Sequence, residues 1–282
     1  MISPMASIAR ADCELHYELT GGGIPLLLIQ GVGVVGGGWR PQIEGLAGSF
    51  QMLTFDNRGI GRSIPCRGPV TIEAMAEDAR ALMDAAGWKS AHVAGHSMGG
   101  VIAQQLALDV PDRVRSLSLL CTFARAKDGA RLTPWVLWMT LRTRIGTRRM
   151  RSRAFLEMLY PRDFEQFSDA DTLASCTSAI VGRDLADSPP IIMKQVRALA
   201  RHDCSGALGK LAGIPTQVIS AEHDRIAPPQ YGQRLAELIH GATFEEIHAA
   251  SHGLPLQYPA LINGRLRAFI SEAEAQFSLS RR

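Results

Sequence analysis

The pentapeptide Gly95-His96-Ser97-Met98-Gly99 has the residue types and spacing of a serine built to attack a carbonyl carbon. An apolar run precedes it at Ala91 to Ala94, and a helical pattern follows from Met98 to Val110, where Pro111 stops it. A strand that breaks abruptly into a helix leaves its turn residue at a strained backbone position. Side chains two before and two after that residue would collide unless they were tiny. Gly95 and Gly99 meet that need, and Gly100 adds room. The turn exposes the serine hydroxyl at the end of a sheet and sets it at a helix N-terminus, where developing negative charge is favoured.

A serine hydroxyl is a poor nucleophile unless a base takes its proton, and the base needs an anion to hold its tautomer. Two later segments supply these types. Ser220-Ala221-Glu222-His223-Asp224-Arg225-Ile226-Ala227-Pro228 follows a strand-like run, so its carboxylates lie at the sheet end where sites of open α/β sheets gather. Asp224 is favoured over Glu222 because it sits deeper in the loop. His248-Ala249-Ala250-Ser251-His252-Gly253 follows the next strand-like run. His252 is favoured over His248, because a loop can carry a base over the serine and a strand end packs its side chain. His96 is locked beside the nucleophile, and His16, His92, His202 and His240 read as structural or surface residues. Attack on a carbonyl makes an oxyanion, which needs preorganised donors. One is the backbone N–H of Met98. The other is assigned to Val32, in a loop that Gly31 and Gly33 let approach closely.

These loops need elements to hold them. Short apolar runs alternate with helical patterns, the mark of a mostly parallel sheet with helices on both faces. Strands are expected at Cys13 to Leu19 (in an N-terminal hairpin), Leu26 to Gln30, Met52 to Phe55, Ala91 to Ala94, Val114 to Cys121, Pro215 to Ser220 and Thr243 to Ile247. Helices are expected over Trp39 to Leu46, Thr71 to Ala86, Met98 to Val110, Tyr231 to Ile239 and Ala260 to Ala273, with Thr71 as an N-cap and Gly87 just past the end of its helix. From about Phe123 to Leu211 only helical patterns occur. The expected organisation is a core domain of residues 1–122 and 212–282, interrupted by a helical cap at 123–211 that acts as a lid.

Composition narrows the class without choosing a chemistry. The chain has 282 residues, 46% hydrophobic and 20% charged, which suits one large α/β domain with an insertion. A net charge of +3 is too small to argue for nucleic acid. The five cysteines are scattered without metal or redox spacing and read as reduced thiols. Met1 to Met5 lack the apolar core of a signal peptide, and no apolar run nears the ~20 residues that span a bilayer. The expectation is a cytoplasmic protein without an inserted membrane segment.

The elbow at Gly95 to Gly100, the turn Asp56-Asn57-Arg58-Gly59-Ile60-Gly61-Arg62-Ser63, and Asp224 and His252 in that order together resemble the α/β-hydrolase superfamily. The resemblance covers nearly the whole chain. It implies a mostly parallel eight-stranded sheet flanked by helices with an inserted helical cap. It also implies a triad of Ser97, Asp224 and His252, and oxyanion donors at Val32 and Met98. The Asp56 to Ser63 turn is structural by this likeness, and no cofactor or metal is implied. One departure is Gln30-Gly31, where many members carry His-Gly; a backbone donor survives that swap. The look is that of small bacterial carboxylesterases and enol-lactonases. The expected activity is cleavage of a small-molecule carboxylic ester through an acyl-enzyme. The alternatives are lactone or C–C bond hydrolysis with the same triad, and a non-catalytic small-molecule receptor. A homodimer stays open.

The insertion adds two features. Trp135, Trp138 and Met139 share a helical face, read as lid packing onto the sheet domain or as an apolar wall of the substrate pocket, to which Gly31 is also assigned. Arg142, Arg144, Arg148, Arg149, Arg151 and Arg153 form a basic run, read as a solvated face or as the source of one arginine for a substrate carboxylate.

Overall fold

Leu26, Leu27, Leu28 and Ile29 are fully buried, and successive members feed opposite faces of a sheet. Leu27 and Ile29 join a cluster with Met75, Ala79 and Val101. Leu26 and Leu28 pack instead with Trp39, Ile262 and Leu266. The alternation follows from the two-residue period of a strand, and the lack of polar members follows from helical cover on both faces.

The computed structural model describes residues 6–125, 133–161 and 169–279. Its strands are β1 (Ala6–Ala9), β2 (Glu14–Gly21), β3 (Ile24–Ile29), β4 (Phe50–Phe55), β5 (Ala91–His96), β6 (Val114–Leu120), β7 (Thr216–Ala221) and β8 (Thr243–Ile247). They form one eight-stranded sheet in the order β1-β2-β4-β3-β5-β6-β7-β8. β1, β2 and β4 pair antiparallel, and the rest of the sheet is parallel. The eight-stranded, mostly parallel architecture is the expected one.

The covering helices of the sheet are α1 (Arg40–Leu46), α2 (Ile72–Ala85) and α3 (Met98–Asp109). Thr71 caps α2 by accepting the Ala74 N–H at 3.1 Å, and Gly87 follows its end at φ +72°. Between β6 and β7 the described residues form α4 (Pro134–Arg142), α5 (Arg148–Leu159), α6 (Ala170–Val181) and α7 (Pro190–Arg201). A small cluster of their own, with Leu156, Tyr160, Leu173 and Val181, sits among them. The chain then runs through α8 (Pro229–Leu238), α9 (Leu254–Gln257) and α10 (Pro259–Leu279). None of the described helices is long and apolar enough to cross a membrane.

The turn after β4 anchors the site from below. Gly59 and Gly61 take φ of +78° and +53°, which glycine adopts freely. Asp56 accepts the N–H of Gly36 at 2.7 Å and of Arg62 at 2.9 Å. Arg58 forks onto Asp78 of α2 at 2.6 and 2.8 Å, both residues buried. Asn57 donates to the Gln30 carbonyl at 3.0 Å, which ties the end of β3 to this turn. These bonds account for the turn as scaffolding.

Candidate active site

β5 runs into Ser97 and α3 begins at Met98. Ser97 takes φ +56° and ψ −120°, a region that side chains other than glycine avoid. Neighbouring bonds hold it there. Its N–H donates to the Leu120 carbonyl at 2.9 Å, and its carbonyl accepts from Thr122 Oγ1 at 2.7 Å. A Cβ on Gly95 would lie 2.3 Å from the Gly99 carbonyl oxygen, and one on Gly99 would lie 2.0 Å from that of Ile29. Neither position admits a side chain, as the elbow requires.

The three residues read from the sequence converge although 155 positions separate the first from the last. Ser97 Oγ lies 3.0 Å from His252 Nε2, and His252 Nδ1 lies 2.7 Å from Asp224 Oδ2. The network assigns Nδ1–H as the donor to Asp224, which leaves Nε2 to accept the serine proton. All three side chains are buried. The second oxygen of Asp224 accepts the N–H groups of Ile226 and Ala227, each at 2.8 Å. Burial alone would raise the Asp224 carboxyl. The adjacent His252 and the two amide donors outweigh it and hold the carboxyl below its ordinary value.

The rival pair lies elsewhere. Glu222 accepts from Ala249 N–H at 2.9 Å and faces His248 Nδ1 at 3.3 Å, with the His248 side chain 89% exposed. The two form a surface pair that braces the loop before His252.

Gly31 lies over the serine: a Cβ there would stand 3.1 Å from Ser97 Cβ and 3.6 Å from its Oγ. The Gln30 side chain folds back to accept the Gly31 N–H at 3.2 Å, so glutamine braces this loop itself. The Met98 N–H is in the first turn of α3, where amides lack intrahelical acceptors. Val32 follows Gly31 on the same short loop.

Two site neighbours were not singled out as partners by sequence. His96 Nε2 donates to the His252 carbonyl at 2.8 Å, and its ring stands 5.0 Å from the His252 ring. Burial, reinforced by the charge of His252, pushes the His96 imidazole down to about 3, so it stays a neutral strut. Cys121 is buried at φ +48°, and burial together with Asp224 holds its thiol well above the ordinary range. A histidine inside the elbow and a cysteine at the end of the next strand were the available signals.

Among the described residues the helical insertion touches the site loops at Gly33, Val35, Arg225 and Gly253, with the Val35 N–H donating to the Val181 carbonyl at 3.3 Å. Gln195 of α7, itself fully buried, accepts the Gly33 N–H at 2.9 Å, and Arg183 Nε donates to the Gly33 carbonyl at 3.3 Å. Arg225, next to Asp224, stacks its guanidinium 5.3 Å over the Trp135 ring. Gly253, next to His252, donates to the Leu159 carbonyl at 2.8 Å. Each loop that frames the serine is thus held from above.

The expected single wall of Trp135, Trp138 and Met139 divides. Met139 is buried at 2%, Trp138 is 58% exposed, and Trp135 is half-buried against Arg225. Adjacent helical residues lie about 100° apart, so Trp138 and Met139 flank Trp135 on opposite sides. The basic run is engaged at the surface. Arg142 pairs with Glu157, Arg148 with Asp184 and Arg149 with Asp171, and Arg151 donates to the carbonyls of Gly146 and Ala186. Arg144 and Arg153 are exposed. The cation beside the loop over the serine is Arg183, from outside that run.

Residues 24–257 match the family model described as alpha/beta hydrolase fold. Over 269 residues the chain is 32% identical to an Azorhizobium caulinodans protein designated a candidate carbamate hydrolase, RutD, covering 93% of this chain and 97% of that one. Among solved structures it resembles the enol-lactonase of Burkholderia xenovorans, with TM-score 0.77, 27% identity and coverage of 95% and 100%. A thermophilic esterase of Thermogutta terrifontis gives TM-score 0.76, 26% identity and coverage of 96% and 99%.

Proposed function

Since this chain belongs to the alpha/beta hydrolase fold family, we propose that it is a serine hydrolase that cleaves carboxylic esters through an acyl-enzyme on Ser97. The observation that carries this reading is the unbroken relay from Ser97 Oγ to His252 at 3.0 Å and on to Asp224 at 2.7 Å. His252 Nε2 takes the hydroxyl proton as Oγ forms its bond to the ester carbonyl carbon. The carbonyl oxygen becomes an oxyanion between the amides of Val32 and Met98, in the partial positive field at the start of α3. Collapse of this intermediate breaks the C–O bond to the alcohol, which leaves with the proton from His252. Water, deprotonated by the same nitrogen, then attacks the acyl carbon and frees Ser97. Asp224 stays ionised throughout, orients the ring and offsets the charge of the imidazolium.

A carbamate is the second reading, favoured by the name of the 32% identical relative. The same steps would cleave it. The nitrogen lone pair makes a carbamoyl-enzyme slower to hydrolyse than an acyl-enzyme, so the two substrate classes differ kinetically. Labelling with a fluorophosphonate should modify Ser97 alone. A panel of matched acyl esters, lactones and carbamates under pre-steady-state conditions then ranks the substrates by acylation and deacylation rates. Tight ligand binding without turnover, or labelling undiminished in Ser97→Ala, would overturn the enzyme reading.

A further inference from the structure

A cavity of about 210 Å³ lies between the first turn of α2 and one face of α7, apart from the triad. Its lining includes Thr71, Glu73, Lys194, Arg197, Arg201 and His202. Lys194, Arg197 and Arg201 follow the three- and four-residue spacing that stacks side chains along one helical stripe. None of them has an ion-pair partner among the described residues, whereas four arginines of the earlier run are all engaged. Three cations face one carboxylate in the lining, leaving two positive charges when the imidazole is neutral.

His202 closes the lining beside Glu73. Its side chain is only 6% exposed. Nδ1 bonds Glu73 Oε1 at 3.0 Å, while Nε2 is buried with no hydrogen-bond partner. With Nδ1–H donating to the Glu73 carboxylate, the neutral ring keeps a lone pair on Nε2, so the cations of the lining are the groups that would meet an anion. A solvated patch of basic residues would account for the exposed arginines alone. It would not account for a concavity lined by three cations without ion-pair partners among the described residues.

We propose that this cavity binds a phosphate dianion, free or as the phosphomonoester of a small molecule. Two guanidinium forks suit paired oxygens of a tetrahedral oxyanion, and the lysine adds a mobile point charge. The first-turn amides of α2, a 14-residue helix capped by Thr71, add a favourable field for an anion. The volume is well above the ~30 Å³ a water occupies in the liquid, so a phosphate and several attached atoms are accommodated. The charge balance of the lining matches a dianion, which separates this ligand class from acetate or chloride.

The test is an NMR titration of the full chain at low ionic strength, where screening is weakest. Inorganic phosphate should shift the amides of residues 71–74 and 194–202 saturably. Acetate at equal concentration should not. Glycerol 3-phosphate compared with inorganic phosphate separates the two sources: tighter binding assigns the site to monoesters, and equal binding assigns it to the free ion. Arg197→Ala with Arg201→Ala should weaken phosphate at least tenfold, with the melting temperature as the folding control. Glu73→Gln removes the carboxylate of the lining and should tighten phosphate several-fold. Absence of saturable shifts in the native chain, equal affinity in the double variant, or weaker binding by Glu73→Gln would each overturn the proposal.

Discussion

The sheet and the helical insertion are built to different standards. Strand residues Leu26 to Ile29, Val93, Leu117, Leu119 and Val218 are essentially without exposure. In the insertion, Leu137, Trp138, Leu141, Ile145 and Met150 stand between 48% and 61% exposed, and its charges pair at the surface. A close-packed floor holds reacting atoms to a fraction of an ångström because any shift there costs contacts on all sides. The insertion need not be that stiff. Among the described residues it meets the floor at Gly33, Val35, Arg225 and Gly253, so that each loop around Ser97 is held. The difference that follows is between a rigid floor carrying Ser97, Asp224 and His252 and a looser insertion that holds the loops around them.

The comparison breaks first, if it breaks at all, at the nucleophile. Ser97→Ala should lower kcat on the order of 10⁶-fold while the fold persists, read by ester turnover beside far-UV circular dichroism. Residual turnover within tenfold of native would place the chemistry elsewhere. Next is the support of the floor. Arg58→Met strips the buried partner from Asp78 and should cost about 3–5 kcal/mol in urea unfolding, with kcat per folded molecule near native. Gln195→Leu probes the clasp between the regions. It leaves the Gly33 N–H unsatisfied, a cost of about 1–3 kcal/mol at a buried donor, and kcat should fall roughly tenfold with KM nearly unchanged. A KM effect alone would mean that Gln195 touches substrate and leaves the loop as it was.

Smaller still is the acid limb of stability. The Asp224 carboxyl is held below its ordinary value in the folded chain, so its contribution is present above the unfolded value of about 3.9 and fades as pH falls through the folded one. Asp224→Asn should flatten the fall in stability below about pH 4, measured by urea midpoints across pH; an unchanged acid limb would remove Asp224 as a contributor. Trp138→Ala, at an exposed position of the insertion, should change stability by no more than about 0.5 kcal/mol. A larger loss would show that this face is covered in solution.

Legibility followed the same division. Buried strands announce themselves through unbroken apolar runs, and the elbow through glycines whose neighbours leave no space for a side chain. Asp224 and His252 are readable because they sit in loops directly after such strands. β1 at Ala6–Ala9 was not singled out: four residues with alternating half-burial at a sheet edge carry little pattern. In the insertion, pairs such as Arg149–Asp171 and Arg148–Asp184 join residues 22 and 36 positions apart, and no local spacing reveals them. Gln195 was hidden for another reason. A glutamine on a helix with charged neighbours reads as a surface residue, and only the approach of Gly33 from 162 positions away makes it a buried acceptor.

That separation has a consequence for how the molecule comes into being. Translation delivers Ser97 long before Gln195, and Gln195 well before His252. While the chain is still growing, Ser97 lacks its partner His252 and Gly33 lacks its acceptor Gln195. On the proposed mechanism, the relay is complete only once the last quarter of the polypeptide docks. On the proposed mechanism, the order of residues along the chain keeps Ser97 apart from its base until the fold is nearly complete.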